Sequence, residues 1–188
     1  MASIRTFIAI EIPEDIRNQI AELQSGLKGL GGKITWVKPE NMHLTLKFLG
    51  ETDESLIENI SEKLEQVVLS FNQFEIKVKG IGVFPNFKRA KVFWVGTETD
   101  SNTLSELAKK IDQQINEFGY ELEKRQFSGH LTMGRVRDSR GIEPVIKKLQ
   151  QVKNFTPGKF VVKEVLFIKS ELSRQGPIYT LLRKININ

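Results

Sequence analysis

The chain holds two histidines, and each opens the same kind of tetrapeptide, His43-Leu44-Thr45-Leu46 and His130-Leu131-Thr132-Met133. An imidazole moves protons near neutral pH and a hydroxyl donates to anions, so each tetrapeptide carries the parts for proton transfer beside a charged oxygen. A pair of them suits in-line displacement at phosphorus, where one group takes the proton of an attacking water and another delivers a proton to the leaving oxygen. The threonine hydroxyls, with a nearby cation, would steady charge on the non-bridging oxygens. That chemistry requires no metal and no other cofactor. A single His-x-Thr in a strand is commonly structural. Its repetition around every histidine of the chain points instead to one site built from two halves.

Other chemistries lack their parts. A facial metal triad needs a carboxylate beside its histidines, and threonine stands at that place in both motifs. Cysteine is absent, which removes thiolate nucleophiles, cysteine metal sites and disulfides. No Gly-x-Ser-x-Gly element, P-loop or dinucleotide-binding glycine pattern occurs.

Hydropathy shows how the motif residues would be held. The segment from His43 to Leu49 reads as a buried strand, in which residues two apart share a face. His43 and Thr45 then project together while Leu44 and Leu46 enter a core, and His130 and Thr132 do the same. Lys47 shares the parity of His43 and Thr45, so it is a candidate contact for anionic substrate, with a solvent-facing role as the alternative. Arg135 falls on the opposite parity from His130 and Thr132, and reaches the site only if the strand ends or bulges near Gly134.

Further strands are expected over 3–11, 33–37, 74–83, 91–97, 160–170 and 179–185, and amphipathic helices over 13–27, 53–71, 101–118 and 142–151. Asp53 is a candidate helix cap, and Pro13 and Pro144 sit where first helical turns accept proline. The order of helices and strands around His43 is followed by a similar order around His130. Linkers rich in Gly, Pro and Ser are missing, so residues 1–188 are read as one domain of two related lobes.

With 188 residues, 39% hydrophobic and 27% charged, the composition is that of a globular protein. A net charge of +5 and a pI near 9.4 favour an anionic partner. Positive charge gathers near the candidate chemistry: Lys88, Arg89 and Lys91 in one segment, Arg135, Arg137 and Arg140 after the second motif, Lys47 after the first. The opening segment reaches Glu11 after a short apolar run, unlike a signal peptide, and no run approaches membrane-spanning length. A cytoplasmic location and no membrane partner are expected.

The paired motifs resemble those of the two-histidine (2H) phosphoesterase superfamily, and within it the bacterial and archaeal RNA 2′,3′-cyclic phosphodiesterases, also called 2′-5′ RNA ligases. The similarity runs along nearly the whole chain: RTFIAIEIP at 5–13, WVKPENMHLTLKFLGE at 36–51, GVFPNFKRAKVFWVG at 82–96, FSGHLTMGRV at 127–136 and SELSRQGPIYTLL at 170–182. It implies a bilobal α+β fold with pseudo-twofold symmetry, two antiparallel sheets, helices packed outside and a central cleft. It also implies roles: His43 as proton donor to the leaving O3′, His130 as proton acceptor from water, Thr45 and Thr132 on the phosphate, and Arg135 as a further substrate contact.

The implied substrate is RNA ending in 2′,3′-cyclic phosphate, or a small cyclic nucleotide, giving a 2′-phosphate, with 2′-5′ ligation as a related activity. A monomer without metal is expected. The family often has proline before the second histidine, where this chain has Gly129. Phe7 and Tyr179 fall in family-like segments and are read either as core or as platforms for a base. The alternative of another class is a non-catalytic binder of RNA ends or nucleotides on the same fold. Intact histidines and threonines in both motifs speak against it.

Overall fold

The computed structural model describes residues 2–174 and 176–188; Gln175, inside the last family-like segment, lies outside them. The elements run β1 Ser3–Glu11, α1 Glu14–Leu27, β2 Lys33–Trp36, β3 His43–Asp53, α2 Ile57–Val68, β4 Phe74–Phe84, β5 Val92–Glu98, α3 Thr103–Ile115, β6 His130–Asp138, α4 Glu143–Gln151, β7 Gly158–Val162, β8 Glu164–Ser173 and β9 Gly176–Asn186. Local chemistry explains several boundaries. Glu14 and Asp15 sit in the first turn of α1, where the helix dipole favours negative charge. The Asp53 carboxylate accepts the Ser55 N–H at 2.9 Å, capping a short 3-10 turn that leads into α2. Ile60, Leu64, Val67 and Val68 then line the buried face of α2 at helical spacing.

Strands β3, β1, β8 and β9 pair in that order as antiparallel sheet A, and β2, β6, β5, β4 and β7 as antiparallel sheet B. This is the expected α+β architecture of two antiparallel sheets with helices. One expected element is corrected. The apolar run over 160–170 is two strands, because the chain changes sheets at Lys163: β7 edges sheet B against β4, and β8 enters sheet A against β1. Val162 and Val165, on either side of the crossing, both enter the core, which is why the run reads as continuous.

One apolar core joins the sheets. Ile8, Ile10 and Leu44 of sheet A, Phe93, Leu131 and Met133 of sheet B, and Ile20, Leu64, Ile111 and Leu149 of the four helices are all buried in it. Burial of such side chains contributes roughly 1.5–3 kcal/mol each before chain entropy is counted. The other face of sheet A carries a smaller cluster of Phe7, Ala9, Leu166 and Ile168 with Tyr179 against it. On that face Phe48, Phe7, Ile168 and Leu181 stand opposite one another across the four strands. Among the described residues no helix is long and apolar enough to cross a membrane.

Candidate active site

The motif strands share a backbone irregularity. In β3, Thr45 pairs with Ala9 and Lys47 with Ile8, so Leu46 is an extra residue in the ladder. In β6, Thr132 pairs with Trp94 and Gly134 with Phe93, so Met133 is the extra residue. A bulge of this kind reverses the parity of everything beyond it. Before the bulge each histidine and threonine share one face; after it, Phe48 on β3 and Arg135 on β6 return to that same face, while Lys47 and Gly134 turn to the core.

His43 begins β3, and its Nδ1 lies 2.9 Å from the Asn41 carbonyl; His130 begins β6, and its Nδ1 lies 2.7 Å from the Ser128 carbonyl. A carbonyl can only accept, so each Nδ1 carries the proton and donates, leaving Nε2 as the nitrogen that exchanges a proton with a ligand. The surroundings of the rings differ. Phe7 stacks on His43 at 4.5 Å and Tyr179 meets it edge-on at 5.3 Å. Phe84 meets His130 edge-on at 5.0 Å, with Trp94 at 6.2 Å. The Trp94 indole lies across β4 at Gly82, where an added Cβ would fall 2.0 Å from the ring, so only glycine admits this wall of the site.

Burial pushes the His43 pKa down to about 4; the bond to Asn41 opposes the shift and the charge of Arg135 adds to it. His43 is therefore neutral at pH 7. Tyr179 is shifted upward by burial, while Arg135 and Arg5 act in the opposite sense. Arg135, a residue of sheet B, thus exerts its charge on two side chains of sheet A. The bulge at Met133 is what turns it there, as the parity of the sequence required. The Thr45 and Thr132 hydroxyls have no protein partner among the described residues, although both side chains stand beside their histidines.

Lys47 is a correction to the parity expectation. The bulge at Leu46 turns it away from His43 and Thr45 and into the protein, where it is 9% exposed. Its ammonium pairs closely with Asp112 of α3 and donates to the Glu121 carbonyl at 3.0 Å. Asp112 also accepts the Glu123 N–H at 3.1 Å, so the pair fastens the segment leading toward His130. Phe7, 1% exposed, is core and a wall for His43 rather than an open platform. Gly129 fits its place because an added Cβ would lie 2.1 Å from Thr97 Oγ1.

Two supporting groups escape a reading by residue type. The Asn41 and Ser128 carbonyls orient the imidazoles, and backbone atoms leave no mark in composition. Gln24 of α1 is 1% exposed, and its Nε2 donates to the carbonyls of Val37 and Met133, both at 2.8 Å. It therefore holds the bulge residue of β6. A glutamine in the apolar register of Ile16, Ile20 and Leu27 was a visible signal for such a role.

Two antiparallel sheets, each presenting a His-x-Thr strand to a shared site, define a two-histidine phosphoesterase. The model of the LigT like Phosphoesterase family matches the chain twice, over residues 10–94 and 95–179, one match for each motif. The chain belongs to this family. Proteins named RNA 2′,3′-cyclic phosphodiesterase include one from Methanothermobacter thermautotrophicus, 34% identical over 94% of this chain and 95% of its own. Another, from Methanocaldococcus jannaschii, is 37% identical over 96% of this chain and 99% of its own. In fold, the chain is similar to the crystal structure of TT0787 of Thermus thermophilus, with a TM-score of 0.81 at 24% identity, covering 98% of both chains. It is likewise similar to E. coli LigT complexed with 3′-AMP, with a TM-score of 0.79 at 24% identity, covering 100% of this chain and 99% of the other.

Proposed function

We propose that this protein hydrolyses 2′,3′-cyclic phosphate ends of RNA to 2′-phosphomonoesters, with His130 as general base and His43 as general acid. The observation that carries the reading is the pair of imidazoles, each locked through Nδ1 on a carbonyl and each beside an unengaged threonine hydroxyl, with the charge of Arg135 on one sheet acting on His43 of the other. His130 Nε2 takes a proton from water as its oxygen bonds to phosphorus. The P–O3′ bond breaks, and protonated His43 gives its Nε2 proton to O3′. Thr45, Thr132 and Arg135 hold the non-bridging oxygens, where donors aimed at developing charge act most strongly.

The depressed pKa of His43 sets a condition on its role. In the free protein its acid form is scarce at neutral pH, because the charge is buried and faces Arg135. A phosphodiester anion seated on Arg135 brings the opposite charge to His43 and raises its pKa, so the proton is taken up together with the substrate. With an RNA 5′-hydroxyl in place of water, the same transfers form a 2′-5′ linkage. The names of the relatives support cyclic phosphate as substrate. A cytoplasmic monomer acting without metal completes the proposal.

The test is an oligoribonucleotide ending in 2′,3′-cyclic phosphate, incubated with the protein and a chelator. A 2′-phosphate product is expected. A 3′-phosphate product, or tight binding without conversion by folded protein, would overturn the reading, the latter in favour of a non-catalytic binder.

A further inference from the structure

The equivalent bulges allow the two motif strands to be compared position by position beyond their threonines. On β6 the face that carries His130 and Thr132 continues into Arg135 and Arg137; on β3 it continues into Phe48 and, past a second bulge at Leu49, into Glu51. Arg137 is exposed and its Nε donates to Thr35 Oγ1 of β2 at 3.1 Å, which lays its guanidinium along the sheet. Beside it, Lys91 is joined to β6 through its carbonyl, which accepts the Val136 N–H at 2.9 Å, and the turn just before it holds exposed Lys88 and Arg89. None of these five cations has a carboxylate partner among the described residues. Asp138, at the end of β6, is paired with Arg140.

Sheet A offers a phosphate much less. Glu11 stands opposite His43 in the ladder, where sheet B has Gly96 opposite His130. Arg5 lies over the Phe48 ring at 4.9 Å, with Glu51 opposite it in the ladder. That face also carries the apolar row of Phe48, Phe7, Ile168 and Leu181, and its Lys184, opposite Leu166, is already paired with Glu164 at 2.9 Å.

Resting on the phosphodiesterase reading above, we infer that the RNA strand leading to the cyclic end lies along β6 on sheet B, with Arg137 holding the phosphate next to the reacting one and Lys88, Arg89 and Lys91 flanking its path. Arg135 and Arg137 are two residues apart on one face, roughly 7 Å along a strand, a spacing that follows successive phosphates of an extended chain. The substrate class is then a single-stranded oligonucleotide in preference to a mononucleotide, and its attraction is ionic, hence dependent on salt.

The experiment measures binding by fluorescence anisotropy, using a labelled single-stranded RNA hexamer with a 3′-terminal phosphate, over a series of salt concentrations. Arg137→Gln should weaken binding about five- to tenfold at low salt and flatten the plot of log affinity against log salt by about 0.7, the share of one phosphate contact on a single strand. Arg5→Gln should leave that slope unchanged. In turnover, Arg137→Gln should lower the ratio of kcat/KM for a hexamer ending in cyclic phosphate to that for a nucleoside 2′,3′-cyclic phosphate by a similar factor. Unaltered binding in Arg137→Gln, an unaltered ratio, or a loss carried by Arg5→Gln would overturn the path. Should the wild type turn over neither substrate, the phosphodiesterase reading fails, while the anisotropy still decides where the strand lies.

Discussion

His43 lies between Phe7 and Tyr179, on a sheet face that continues into Phe48, Ile168 and Leu181. His130 meets Phe84 edge-on and lies 6.2 Å from the tilted Trp94 indole, on a face that continues into Arg135 and Arg137. Both start their strands, both donate Nδ1 to the carbonyl two residues earlier, and both precede a bulge at the fourth motif residue. The backbone is alike in the two halves while the side-chain neighbours differ. An apolar wall and an opposing guanidinium act on His43, and the roles proposed above, one ring as acid and the other as base, place unlike tasks in these unlike surroundings. The contrast teaches that orientation of the two rings comes from shared main-chain geometry, whereas the lowered proton affinity of His43 comes from burial and from Arg135, neither of which its own motif supplies.

Removing either imidazole is the severest way to break the comparison. His43→Ala and His130→Ala should each lower kcat about 10²–10⁴-fold in the cyclic-phosphate assay. The double variant should be far less than multiplicatively worse, since the two groups serve one transition state. A histidine that could be lost for less than about tenfold would not have a separate task. Arg135→Gln comes next, with a loss of about 10²–10³-fold from removal of a charged donor. It also sharpens the comparison through pH. The break of kcat/KM that belongs to His43 in the free protein, expected near pH 4, should move upward, because the cation that helps depress it has gone. A break that stayed in place or moved down would show that Arg135 does not act on His43.

The sequence carried the histidine and threonine pairs because their types are rare and strand parity is local. It carried the two-sheet class through alternation and order. Parity failed at Lys47, where the count crossed the bulge at Leu46, and succeeded conditionally at Arg135, where a glycine marked the place of the matching bulge. The division of 160–170 between sheets was hidden because both halves feed one core. The pairing of Lys47 with Asp112 and the action of the Arg135 charge on His43 join residues far apart in the chain, and only the tertiary fold brings them together.

Stability against pH tests the burial of His43 apart from turnover. Its pKa is about 4 in the folded protein against 6.5 for the free side chain. Between those values the unfolded chain binds more protons, so stability rises with pH across that window. The contribution is complete above pH 6.5 and lost progressively on acidification toward pH 4, by up to about 3 kcal/mol. Urea denaturation at pH 7 and pH 4.5 should therefore show a smaller acid-dependent loss for His43→Gln than for the wild type. Equal losses in the two proteins would mean that His43 is not held neutral by the fold.

The smallest effect concerns the backbone feature that the two halves share. Gln24 donates to the Met133 carbonyl, but that carbonyl also accepts the Val37 N–H at 2.8 Å, so the bulge of β6 keeps one bond when Gln24 is replaced. Gln24→Met keeps the volume and removes both side-chain bonds, at a cost of about 1–3 kcal/mol in denaturant unfolding. If Gln24 acts by aiming Arg135, the variant should also lose about three- to tenfold in kcat/KM, the scale of one neutral hydrogen bond. That loss should nearly vanish when Gln24→Met is made in an Arg135→Gln background, because there is no longer a guanidinium to aim. A purely structural glutamine would lower stability in both backgrounds and leave kcat/KM additive. The same cycle with Thr132→Val in place of Arg135→Gln should remain additive, because Thr132 precedes the bulge and its facing does not depend on it.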